Sequence, residues 1–72
     1  MVDQEGAMSH EARRYEDGRG RRATIEREPD GSWHLAVRNG RGPAFWIQSF
    51  EDVHAAKLSM WRKWPDMREV VA

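Results

Sequence analysis

Two clusters of turn residues, Pro29-Asp-Gly-Ser32 and Asn39-Gly-Arg-Gly-Pro43, cut the middle of the chain into three alternating segments. Proline presets φ and glycine supplies a left-handed position, so the first cluster reverses the chain. Asn-Gly is the strongest short hairpin signal, and Arg41-Gly-Pro43 lengthens that connection. Residues 23–28 alternate, with Ile25 on one face and Glu26 and Glu28 on the other. In residues 33–38 the alternation places Trp33, Leu35 and Val37 together and turns His34 and Arg38 outward. Residues 44–48 form the third segment, with Phe45 and Ile47 facing one way and Trp46 the other. Three strands joined by two tight connections make an antiparallel meander.

A helix follows. Ser49 and Asp52 have the spacing that opens a capping box. Phe50, Val53, Ala56, Met60 and Trp64 recur on one helical face, with Trp61 on its flank. Lys63 suits the negative end of the dipole, and Pro65 stops the helix. The inner face of the meander (Ile25, Leu35, Val37, Phe45 and Ile47) needs a cover, and this stripe supplies it. The expected fold is therefore α+β, a three-stranded antiparallel sheet packed on one C-terminal amphipathic helix, over residues 23–66. Residues 67–72 are a tail.

Residues 1–22 offer little to bury beyond Val2, Met8 and Tyr15, and mix acids with arginines. They read as a flexible arm, within which Ser9 caps at most one helical turn through Tyr15. The sequence leaves open whether Met1 or Met8 is the true start.

A 72-residue chain is one domain of marginal stability. It has no cysteine, which excludes disulfides and thiolate metal sites and fits a reducing cytoplasm. Neither a secretory signal nor an apolar run of membrane-spanning length is present. Four tryptophans and two phenylalanines are a large aromatic supply for so short a chain. Twelve basic and twelve acidic residues cancel, so bulk charge does not argue for nucleic acid or an anionic membrane. Ten of the twelve basic residues are arginine, the better side chain for gripping carboxylate or phosphate.

Chemistry has few handles. His10, His34 and His54 are scattered, with no acidic residue at ligand spacing on the same element, so no metal or other cofactor is expected. Among the serines, Ser9 and Ser49 belong to caps and Ser32 to a turn. Glu26 and Glu28 sit two apart like paired carboxylates, but so small a domain has no cleft to raise a pKa or exclude water. The expectation is a protein that is not an enzyme and has no small-molecule substrate. What remains is binding. An outward Trp46, with Arg38, His34, Glu26 and Glu28 around it, has the composition of an interface hot spot, and Trp61 raises the same question on the helix. Arg13, Arg14, Arg19, Arg21 and Arg22 in the arm could reach a phosphate backbone, although Glu11, Glu16 and Asp17 dilute them.

Ile25-Glu-Arg-Glu-Pro-Asp-Gly-Ser-Trp33, Ala36-Val-Arg38, Trp46-Ile-Gln-Ser-Phe50 and Ala55-Ala56 together resemble the three-stranded-sheet DNA-binding domain of plant ethylene-response factors. The arm-type domains of phage integrases are similar. That resemblance implies a sheet whose outer face enters the major groove, with Arg38 and Trp46 matching family contacts. Glu26 and Glu28 stand where the family has arginines, and Asp30 where it has tryptophan. Two carboxylates facing phosphates oppose binding. Val37-Arg-Asn39 and Gly42-Pro43 are similar to small actinobacterial proteins that look like partners of helix-turn-helix regulators, which points to a bacterial or phage source. Trp64-Pro-Asp-Met-Arg68 is similar to one segment of MbtH-like proteins, whose Ser-Leu-Trp-Pro and Gly-Trp elements are missing here. Together these readings lead to a small regulatory or accessory module. It binds a protein partner, or a second copy of itself, through the outer sheet face. Sequence-specific or architectural DNA binding by the same face and the arginine-rich arm is the alternative.

Overall fold

The three expected strands are present, but they are part of a larger sheet. A computed structural model describes residues 11–70, in the order β1 (Ala12–Glu16), β2 (Arg21–Arg27), β3 (Trp33–Asn39), β4 (Ala44–Phe50), α1 (Val53–Lys63) and β5 (Arg68–Glu69). The sheet is antiparallel, with spatial order β4-β3-β2-β1-β5. Helix α1 crosses one face, and among the described residues no helix or strand covers the other.

Both additional strands correct the sequence reading. Residues 12–16 and 21–22, expected in a flexible arm, lie in β1 and β2. Residues 68 and 69, expected in a tail, form β5. β1 has one apolar anchor, Tyr15, whose side chain is 1 % exposed beneath α1. Its backbone pairs with β2 from Ala12↔Glu26 to Glu16↔Arg22. Pairing with a strand already held in the core satisfies the backbone polar groups of β1, so one buried ring is enough to seat it. The β1–β2 turn is built by Asp17, whose Oδ1 accepts from the backbone N–H groups of Arg19 (2.7 Å) and Arg21 (3.1 Å). The expected helical turn ending at Tyr15 is replaced by strand, while Met8, Ser9 and His10 lie outside the described residues.

The core comprises Tyr15, Ala23, Ile25, Leu35, Val37, Ala56, Met60 and Met67, with Trp33, Trp46, Phe50, Val53 and Trp64 packed around it. Ile25, Leu35, Val37, Ala56 and Met60 match the expected interface between sheet and helix. Ile47 does not, being 58 % exposed, and Phe45 does so only in part: it is 50 % exposed, with its ring edge-on to Trp64 at 6.0 Å. The pairing of β3 with β4 is irregular at Val37/Arg38. Val37 faces Trp46 and Arg38 faces Ala44, so Phe45 is an extra residue. A bulge changes which alternate residues meet the core, and here it turns Trp46, Gln48 and Phe50 to the helix side.

The helix also starts later than its spacing suggested. Asp52, not Ser49, is the N-cap, its carboxylate accepting from Ala55 N–H at 2.8 Å. Ser49 and Phe50 remain in β4. At the other end, Trp64 N–H donates to the Met60 carbonyl and Pro65 follows. The two central turns hold as read: Gly31 has φ 93° and Gly40 φ 56°. Among the described residues, no helix is long and apolar enough to cross a membrane.

Candidate interaction interface

Cross-strand register sets what the open face presents. One row runs Arg14, Thr24, Ala36, Ile47 from β1 to β4. The row on one side is Ala12, Glu26, His34, Ser49, and that on the other is Glu16, Arg22, Arg38, Ala44. Small residues at Thr24 and Ala36 leave a hollow of about 590 Å³, bordered by Arg14, Arg22, Arg38, Arg41, Glu16 and Glu26. Arg22 pairs with Glu16 at 3.6 Å. Arg14, Arg38 and Arg41 have no ion pair among the described residues.

Arg38, His34 and Glu26 therefore occupy the outer face as expected. Glu28 does not: β2 ends at Arg27, and Glu28 opens the turn, donating its N–H to the Ser32 carbonyl at 2.8 Å. Trp46 is the larger correction. It lies on the helix side, under the Lys63 ammonium (4.4 Å from the ring centroid) and edge-on to Trp64 at 6.1 Å. Its indole N–H is buried without an acceptor among the described residues, and its ring packs against the core, so this side chain is not an exposed anchor. Trp61 packs edge-on against Tyr15 at 6.0 Å and donates its indole N–H to the Met67 carbonyl at 2.8 Å. That bond pins the chain after Pro65 to the helix.

The supposed arm arginines are structural as well. Arg13 reaches Glu69 (4.0 Å), Arg19 reaches Asp66 (3.8 Å) and Arg21 bonds Asp17 (3.2 Å). Among the described residues, only Arg14 of the five faces the open side without an ion pair. The Asp17 carboxylate is folded into its own turn, with 2 % of the side chain exposed. Burial pushes its carboxyl pKa up, but the N–H groups of Arg19 and Arg21 and the Arg21 guanidinium outweigh this and hold it below the usual value.

Sequence reasoning missed the edge of the sheet. β4 is terminal and seven residues long, and it carries no charge, reading Ala-Phe-Trp-Ile-Gln-Ser-Phe. Among the described residues, no backbone group bonds to its outer side. Native edge strands are normally blunted by charge, proline or a covering element. β4 has no charge or proline along its length and, among the described residues, no covering strand; its one blunting device is the bulge at Phe45, near its start. The signal was in the sequence, as an uncharged run bounded by Pro43 and Glu51, but only the strand order makes it an edge.

Register also separates the charges. The end formed by the β1–β2 and β3–β4 turns holds Arg19, Arg21, Arg22, Arg38, Arg41 and Arg68 against Glu16, Asp17 and Asp66. Glu11, Glu26, Glu28, Asp30, Glu51 and Asp52 occupy the opposite end, with Arg27. A neutral chain thus folds into a domain with a basic and an acidic end. No protein-family model, curated protein or solved structure matches the chain.

Proposed function

We propose that the protein is a small non-catalytic regulatory or accessory module that binds an extended protein segment by strand addition at β4. The observation that carries this reading is the seven-residue uncharged free edge, with Ile47 and Phe45 half or more exposed on it. Main-chain hydrogen bonds along such an edge supply affinity, and alternate side chains supply specificity. Arg38 and His34 on β3, next to that edge, extend the surface onto the open face. Compared with the expectation of a central hot spot at Trp46, the binding surface moves outward to the edge, because Trp46 is committed to the helix side.

The test is capture from the cell of origin with the tagged wild type and with Ile47→Lys, a charge placed on an already exposed edge position. The variant keeps the wild-type circular dichroism and loses whatever pairs with the edge, whether another protein or another copy of the chain. Equal captures and equal particle sizes for the two proteins would sink the proposal.

Nucleic-acid binding remains a second reading, favoured by the three arginines without ion pairs around the open-face hollow. It predicts binding to mixed-sequence duplex that weakens steeply with salt and with Arg38→Ala. If the amide spectrum does not change on titration with duplex at low salt, this reading fails.

A further inference from the structure

We infer that the occupant of the β4 edge is the β4 strand of a second copy, paired antiparallel about a two-fold axis at Ile47. This rests on the strand-addition reading above and specifies its partner. Three features of the chain select a self-pair. Ile47 is the middle residue of Ala44–Phe50, so centring there makes Ile47 meet its own counterpart in the regular part of the strand and brings the bulged Phe45 beside Ser49. With no charge on the strand, the two-fold brings no like charges into opposition there.

Charge complementarity beyond the strand is the decisive feature. Antiparallel pairing sets the basic end of each copy beside the acidic end of the other. Beyond the strand, the same two-fold sets the β3–β4 turn, with Arg41 at its tip, beside Glu51 of the other copy. Both side chains lie on exposed residues, and neither forms an ion pair among the described residues. The two-fold makes this contact twice. An arbitrary peptide would match the apolar strand but would have no reason to carry an acid at one end and a base at the other. Two five-stranded sheets thereby join into one of ten strands, and both free β4 edges are used.

Sedimentation equilibrium of the purified full chain tests this, using wild type, Arg41→Glu, Glu51→Arg and the double exchange. The wild type sediments as a dimer with micromolar dissociation. Each single exchange puts like charges together twice and raises the dissociation constant about tenfold. The double exchange restores it to within about threefold. Because the chain has no cysteine, Ile47→Cys adds a sole thiol on the two-fold axis, at the strand separation a disulfide spans. Under mild oxidation it cross-links at least about tenfold faster than Phe45→Cys, whose counterpart across the axis is Ser49. Circular dichroism confirms that each variant is folded. A monomeric wild type at several hundred micromolar, single exchanges without effect, a double exchange without recovery, or equal cross-linking of the two thiols each overturns the two-fold dimer. If the wild type is monomeric but Ile47→Lys still loses a captured protein, the dimer fails and strand addition stands. If Ile47→Lys changes neither capture nor size, both fail.

Discussion

Tyr15 and Asp17, two residues apart, are buried on opposite terms. The Tyr15 hydroxyl has no hydrogen-bond partner among the described residues, and an unpaired buried hydroxyl costs about 1–3 kcal/mol. Tyr15→Phe is therefore expected to match or exceed wild-type stability by up to about 1 kcal/mol in urea unfolding. Burial, followed by the nearby Glu69 charge, raises the phenol pKa, with Arg13 opposing. A raised pKa means the folded chain holds the proton more tightly than the unfolded one. That advantage is complete below about pH 10 and is lost as pH rises beyond it. The phenylalanine variant should escape the extra loss above about pH 10 that wild type shows in the same assay. Asp17 has the opposite sign. Its lowered pKa stabilises the fold above the ordinary carboxylate range and ceases to do so as pH falls through the folded value. Asp17→Asn should cost about 1–2 kcal/mol at pH 7 and show a smaller loss than wild type as pH falls below the ordinary carboxylate range.

At the scale of the element, β4 is decided by phase. Its even positions carry Trp46 and Phe50 and its odd positions Phe45 and Ile47, so apolar alternation fits either face. The bulge beside Val37/Arg38 and the fit of Trp46 beneath Lys63 and against Trp64 choose the even set. Trp46→Ala is accordingly expected to destabilise by about 3 kcal/mol or more, as a core deletion, whereas Ile47→Lys changes stability by less than about 1 kcal/mol. Thermal unfolding of the two variants side by side checks this, and the reverse order would restore Trp46 to the open face. α1 depends on Asp52: Asp52→Ala removes the acceptor for Ala55 N–H and should cost about 1 kcal/mol. Met60, fully buried where the helix meets the sheet, is less tolerant. Met60→Ala should cost about 2–5 kcal/mol, enough to unfold much of so small a domain at 37 °C.

For the whole molecule, charge placement matters more than charge total. The neutral sum hides two oppositely charged ends, and their separation predicts association that weakens with added salt. Raising ionic strength from about 0.05 M to 0.5 M should shift sedimentation toward the smaller species, because exposed pairs are screened within a few ångströms at the higher value. The sequence by itself determined the central architecture. Period-two alternation and the residues of two tight turns impose β2, β3 and β4, and the 3.6-residue stripe imposes the helix, because local geometry limits which side chains share a face. His34 and Arg38 were legible on the open face for that reason. Only the tertiary structure decided the outer strands, the phase of β4 and the location of the candidate site. β1 and β5 have too few apolar residues to announce themselves, and they form because a neighbouring strand satisfies their backbone groups. The free edge exists only once β4 is last in the sheet, since strand order arises from pairings between segments distant in the chain.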